Sequence, residues 1–283
     1  MSAKLAGIVP PLITPLLEDG QLDLAGLERL VEHVLDGGVH GIFVLGTTGE
    51  APSLSYRIRR KVIDRVCTQV EGRVPVVVGI TDTAIAESVS LAQHAANAGA
   101  QAVVAAPPYY FPIEQDDLGW YFERLAGAIP LPLYLYNMPA MTKLSIEPET
   151  VRRLLSVESI HGLKDSSGDL GLFEAYLEEA QARPDWSLLV GPEHLTARAV
   201  AAGGDGGVNG GANLEPRLFV DLYEAARSGD AERVAALQAG VEVLGHIYGQ
   251  PCTAGSVIRG LKRALAQAGL CREIVAAPFS QSR

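Results

Sequence analysis

The chain has 283 residues, 48% of them hydrophobic, and a formal net charge of −10 from 23 basic and 33 acidic side chains, which is enough apolar material for one large domain or two small ones. It has no Lys/Arg-rich block to suggest nucleic acid and no apolar run approaching membrane-spanning length, and its acidic balance favours solubility without naming a ligand. The three cysteines, Cys67, Cys252 and Cys271, are far apart and odd in number, so each reads as a small core hydrophobe in a reducing cytoplasm rather than part of a disulfide framework.

At the amino end, Met1-Ser2-Ala3-Lys4 leads into an apolar run too short for a secretory leader. Short β-branched or apolar runs then alternate with longer helical patterns. Strands are expected at 6–9, 41–45, 74–80, 102–105, 131–136, 160–164, 187–190 and 206–208. Several are continuously apolar, as strands covered on both faces are. Leu24, Leu27, Leu30, Val31, Val34 and Leu35 recur at three/four spacing, and Gly37-Gly38 ends that helix. Asp82 or Thr83 is expected to cap a helix reaching Asn97, with Gly99 after it. Glu147-Pro148-Glu149 reads as a first helical turn, with proline and acids where the dipole favours them, and Pro216 and Gly229 bracket a further helix.

Eight alternations in about 220 residues predict an α/β fold, a parallel (β/α)8 TIM barrel. An open doubly wound sheet would normally show a glycine fingerprint after its first strand, whereas Pro10-Pro11-Leu12-Ile13-Thr14-Pro15 follows here. Two more helical patterns, 230–248 and 256–268, are interrupted at Gly249-Gln250-Pro251. The expected organisation is therefore a catalytic barrel, 1–228, and a C-terminal helical extension, 229–283, packed on the barrel or on a partner subunit.

In a barrel, functional groups gather where strands end. Three strand ends stand out. The run 41–45 enters Gly46-Thr47-Thr48-Gly49-Glu50, whose hydroxyls and glycine-flanked N–H groups can form a nest for a carboxylate or phosphate. It is not a P-loop, because the Gly-Lys-Ser/Thr ending is missing. The run 131–136 ends in Tyr136-Asn137-Met138-Pro139, with Tyr134 on the same face as Tyr136. A phenol there can trade protons with a substrate. The run 160–164 ends in Lys164, followed by Asp165-Ser166-Ser167-Gly168-Asp169. Burial disfavours a charged amine, and a neutral one can attack a ketone to form a Schiff base. Tyr109 and Tyr110, flanked by prolines, read as an interface when taken alone. The glycine stretch 203–211 lacks the dinucleotide pattern and reads as close backbone approach at a crowded barrel mouth. No HxH, HExxH or CxxC spacing points to zinc, and no GxSxG to a serine hydrolase.

Taken together, the opening 7–15, the turn 46–50, Pro108-Tyr109-Tyr110, Tyr136-Asn137-Met138-Pro139, Gly162-Leu163-Lys164-Asp165 and the stretch 203–211 resemble the N-acetylneuraminate lyase and dihydrodipicolinate synthase family of class I, Schiff-base aldolases. The resemblance spans essentially the whole chain. It implies that Lys164 condenses with the ketone of a 2-oxo acid, typically pyruvate. It also implies that Thr47 and Thr48 hold the carboxylate, that Tyr136 relays protons, and that Tyr110 supports the relay with Thr48 in a neighbouring subunit's site. Val208 would border the pyruvate end through its backbone. The family needs no metal or organic cofactor and is usually a homotetramer, a dimer of dimers.

Two departures bear on the second substrate. Dihydrodipicolinate synthases typically carry an arginine two residues after the proline of Tyr-Asn-x-Pro, where this chain has Met141, with Lys143 nearby. N-acetylneuraminate lyases place polar groups after the seventh strand, where this chain reads Gly191-Pro192-Glu193-His194, keeping Glu193 as a hydroxyl acceptor. A 2-keto-3-deoxy sugar-acid aldolase fits what remains. The alternatives are dihydrodipicolinate synthase itself, a Schiff-base dehydratase or decarboxylase, and a non-catalytic 2-oxo-acid binding or regulatory protein.

Overall fold

The computed structural model describes residues 4–249 and 252–281. The expected break at Gln250-Pro251 and the reading of Met1-Ser2-Ala3 lie outside them. In chain order the elements are β1 (Gly7–Ile8), α1 (Leu24–Asp36), β2 (Ile42–Val44), α2 (Tyr56–Val70), β3 (Val76–Gly79), α3 (Ile85–Ala98), β4 (Ala102–Ala105), α4 (Gln115–Ala128), β5 (Leu133–Asn137), α5 (Pro139–Thr142), α6 (Pro148–Leu154), β6 (Ile160–Asp165), α7 (Leu170–Ala180), β7 (Ser187–Val190), α8 (Thr196–Ala201), β8 (Gly206–Gly207), α9 (Pro216–Ser228), α10 (Ala231–Gly245) and α11 (Ala254–Gln267).

The strands form one parallel sheet in the order β1-β8-β7-β6-β5-β4-β3-β2. Its two ends meet: Leu12 N donates to Phe43 O at 2.8 Å and Phe43 N to Pro10 O at 3.0 Å. The expected (β/α)8 TIM barrel with additional C-terminal helices is therefore the fold. Strand boundaries move from the expected ones by no more than two residues. Two of the shifts have a common cause. Pro75 and Pro132 have no N–H to give the ladder and contribute only carbonyls, to Ile42 N and Val103 N, so β3 and β5 begin after them.

Periodicity of two divides the buried residues into two layers. Val9, Phe43, Val77, Val104, Tyr134, Tyr136 and Val208 belong to a cluster that fills the barrel, whereas the alternate residues join the larger shell beneath the helices. Tyr134 sits opposite Gly162, and a Cβ on that glycine would lie 2.7 Å from the ring. The glycine stretch does mark close approach, since a Cβ on Gly206 would meet the Gly7 carbonyl at 2.0 Å.

The cap expected at Asp82 or Thr83 is not formed. The N-cap of α3 is Ala84, without a side-chain bond, because Asp82 is engaged elsewhere. Its Oδ2 accepts from Tyr56 and from Arg59 of α2, and Oδ1 accepts from Ala84 N. Cys67 and Cys271 lie in the core, and burial pushes each thiol up to about 11, but Cys252 is exposed, against the expectation for it.

α10 is capped by Asp230, whose side chain accepts from Arg233 N at 3.0 Å, and a 3-10 turn, His246–Tyr248, follows it. α11 begins with a capping box between Thr253 and Ser256. Both helices come to the mouth of the barrel. Among the described residues, no helix is long and apolar enough to cross a membrane.

Candidate active site

Lys164 and Tyr136 are register partners across β5 and β6, and both point into the barrel. Lys164 is only 6% exposed. Its Nζ lies 4.1 Å from the centroid of the Tyr136 ring and 5.3 Å from that of Phe43. Thr47 Oγ1 stands 3.4 Å from the Tyr136 hydroxyl. Burial opposes ionisation of this phenol, yet the charge of Lys164 and hydrogen bonds from Thr47, Lys164 and Ser166 outweigh it and hold the phenol below its ordinary range.

The turn that carries Thr47 and Thr48 is set by backbone geometry on both sides. Leu45 and Glu50 both adopt left-handed φ, 60° and 59°, which non-glycine residues rarely do. Leu45 can bend there because β3 brings Gly79 against its carbonyl, where a Cβ would lie 2.1 Å from the oxygen. Glu50 N closes the turn on Thr47 O at 3.0 Å, and Thr14 Oγ1 donates to Gly49 O at 2.7 Å.

Beyond Lys164 the chain is equally fixed. Ser166 N donates to Asn137 O at 2.8 Å and Gly191 N to Asp165 O at 2.7 Å, while Asp169 caps α7.

Lys164, Tyr136, Thr47, Thr48, Val208 and Glu193 all line one cavity of ≈ 490 Å³. Tyr110 does not join them. Within the chain it is 76% exposed and meets Phe111 edge-on at 5.2 Å. A second cavity, ≈ 320 Å³, adjoins the first, sharing Thr47, Tyr136 and Met138, and reaches Tyr109 and Met141.

Glu193 Oε1 accepts from Tyr248 at 2.7 Å and from Gly211 N. Burial still raises its pKa, although the Gly211, Tyr248 and Gly210 hydrogen bonds oppose the shift. Lys143 turns away: its Nζ donates to Ala140 O at 2.8 Å, and it lines neither cavity.

Residues that sequence reading passed over complete the wall. Ser166 follows the lysine, and Glu242, Tyr248, Cys252 and Ile258 come from the C-terminal extension. Only their distance from the barrel motifs in sequence concealed them. Ser166 was legible, since small polar residues after a strand-end lysine sit on the same rim. Among the described residues, no three His, Cys, Asp or Glu side chains converge as metal ligands.

The arrangement offers a buried amine, an adjacent phenol of lowered pKa and a hydroxyl-bearing turn around one open cleft. These are the groups needed to hold a carboxylate, attack the neighbouring ketone and move protons as charge develops.

Comparison with known proteins agrees. The profile of the dihydrodipicolinate synthetase family matches residues 4–282. The 4-hydroxy-tetrahydrodipicolinate synthase of Methanopyrus kandleri is 38% identical over 239 residues, 84% of this chain and 79% of that protein. The probable 2-dehydro-3-deoxy-D-pentonate aldolase YjhH of Escherichia coli K12 is 35% identical over 247 residues, 87% of this chain and 82% of that protein. The solved structure of dihydrodipicolinate synthase from Bacteroides thetaiotaomicron superposes with a TM-score of 0.95 at 48% identity, over 100% of this chain and 95% of that one. The chain belongs to the dihydrodipicolinate synthetase family and is an enzyme of its kind, a class I lyase working through a Schiff base with pyruvate or a related 2-oxo acid.

Proposed function

We propose that this enzyme joins or splits pyruvate and a neutral, hydroxyl-bearing aldehyde, as a 2-keto-3-deoxy sugar-acid aldolase does. Lys164 attacks the ketone, and loss of water leaves an iminium. In the cleavage direction the C4 hydroxyl loses its proton, the C3–C4 bond breaks, and the aldehyde departs while the electron pair enters the iminium to give an enamine. Protonation at C3 and hydrolysis release pyruvate and free the amine. Thr47 and Thr48 hold the carboxylate, Tyr136 carries the protons, and Val208 borders the small end of the substrate.

One observation carries the choice of aldehyde. Among the described residues lining the cavity, Lys164 is the sole lysine or arginine, and the outer wall presents Glu193, Glu242, His194 and Tyr248. Carboxylates and a phenol suit substrate hydroxyls and repel a second carboxylate. Met141 brings no charge, and Lys143 is turned away. A second reading, condensation of pyruvate with aspartate semialdehyde, draws support from the names of relatives such as the Methanopyrus enzyme.

We further place the enzyme in the cytoplasm as a dimer of dimers. The exposed group Tyr109, Tyr110, Phe111 and Met141 supports an interface through which Tyr110 would reach a second copy's site.

The test is a panel of pyruvate against glyceraldehyde, glycolaldehyde, N-acetylmannosamine and aspartate semialdehyde. Greater kcat/KM for glyceraldehyde or glycolaldehyde is expected, and a preference for aspartate semialdehyde would overturn the sugar-acid reading. Borohydride with pyruvate should add a stable mass to the Lys164 peptide, and an unlabelled peptide would overturn the assignment of the amine.

A further inference from the structure

Lys262 of α11 and Glu50, the last residue of the Gly-Thr-Thr-Gly-Glu turn, form an ion pair in which neither side chain has exposed surface. Their other bonds run to one stretch of the C-terminal segment. Lys262 Nζ donates to Ile274 O at 2.6 Å, and Glu50 Oε2 accepts from Ala276 N at 2.6 Å. Neither residue lines the cavity around Lys164, and only Glu50 borders the adjoining one. Desolvating two charges is costly, so a pair held this way is weak evidence for stability in its own right.

The location of the pair indicates a different role. Glu50 holds a left-handed φ of 59°, and its N–H closes the turn on the Thr47 carbonyl. Fixing its side chain therefore fixes the backbone from which Thr47 and Thr48 project. One helical turn before Lys262, Ile258 stands in the cavity wall. α11 thus sets the wall and the turn together.

We propose that Lys262 is a positioning residue that, by clamping Glu50, presets the Thr47-Thr48 turn to receive the carboxylate of the 2-oxo acid. This rests on the reading of that turn given above. A pair that merely anchored the C-terminal segment would affect stability without affecting pyruvate.

The experiment titrates pyruvate and traps the Schiff base with borohydride, reading intact mass below the unfolding temperature of each protein. The variants are Lys262→Met, Glu50→Gln, the two combined, and Val31→Ala, a core truncation on α1 that lines neither cavity. Half-trapping by pyruvate should need at least about tenfold more pyruvate in every variant lacking the pair, with Val31→Ala unchanged and the aldehyde KM within about twofold.

A folded Lys262→Met, Glu50→Gln or double variant that traps at the parent concentration overturns the proposal. If all three fail to fold while Val31→Ala folds, the pair serves stability alone and the proposal falls equally. A parent that pyruvate does not label removes both this inference and the reading beneath it, whereas a labelled parent with unshifted variants removes only the inference.

Discussion

Asn137 Nδ2 donates to Asp165 Oδ1 across 2.8 Å, one residue beyond Tyr136 and Lys164 on the same two strands. Because strand side chains alternate, the reacting pair faces into the barrel and this amide–carboxylate pair faces outward, locking the two strand ends in register. Asn137 Oδ1 also accepts from Ile146 N at 3.0 Å, and Asp165 accepts from the N–H and hydroxyl of Ser167. Asn137→Ala should therefore leave buried groups without partners and lose about 1–3 kcal/mol of stability. Burial already raises the Asp165 pKa against the Asn137 and Ser167 hydrogen bonds, so the substitution should raise it further. Thermal unfolding and the rate of pyruvate trapping check this; a parent-like melting temperature would show that the pair does not lock the strands.

Tyr136→Phe should lower kcat by roughly 10²- to 10⁴-fold while pyruvate still traps on Lys164, because a general acid–base is lost and the nucleophile is not. The sign of the pH effect follows from the lowered phenol. Its protonated form disappears as pH rises through a value below the ordinary 10.0, so the alkaline limb of kcat should fall below that pH. Thr47 contributes one of the hydrogen bonds that lower the pKa, so Thr47→Val should move the limb upward. A limb that stays in place in Tyr136→Phe belongs to another group and removes the phenol from the proton path.

The barrel was legible because each strand is a short apolar run and each βα turn breaks in glycine, proline or small polar residues. The grouping of Lys164, Tyr136, Thr47, Thr48, Val208 and Glu193 about one cavity followed from strand-end logic and from the family resemblance together. What stayed hidden depends on long-range packing. Asp82 looks like a cap until Arg59 and Tyr56, more than twenty residues earlier, claim its oxygens. Glu242, Tyr248 and Ile258 carry no local mark of a site, since only docking of α10 and α11 over the barrel mouth brings them there. Lys262 in isolation reads as a solvated helix residue, and its partner lies 212 positions earlier, at Glu50.

Gly79→Ala tests the backbone support of the carboxylate turn. The added carbon would sit 2.1 Å from the Leu45 carbonyl oxygen, a backbone atom that cannot swing aside as a side chain could. Overpacking of this kind typically costs about 1–3 kcal/mol. Leu45 already holds a left-handed φ, so relief should come by shifting the 46–50 turn. A lower melting temperature and a raised KM for pyruvate, with the aldehyde KM little changed, are expected. Parent-like pyruvate kinetics would mean that the turn does not depend on this contact.

Tyr110 is 76% exposed and stands apart from Tyr136 and Thr48 in its own chain, so any part it has in the proton relay must be played in a second copy. Complementation distinguishes this from a purely surface role. Lys164→Ala keeps Tyr110 but lacks the amine, and Tyr110→Phe keeps the amine but lacks the hydroxyl. If sites are completed across an interface, each protein alone should be nearly inactive. Subunit exchange at equal concentration should then restore about a quarter of the sites, those of Tyr110→Phe chains paired with Lys164→Ala chains in a two-fold arrangement. Exchange is followed independently by native mass. If mixed oligomers form and activity does not return, or if Tyr110→Phe alone is fully active, Tyr110 has no part in a neighbour's chemistry.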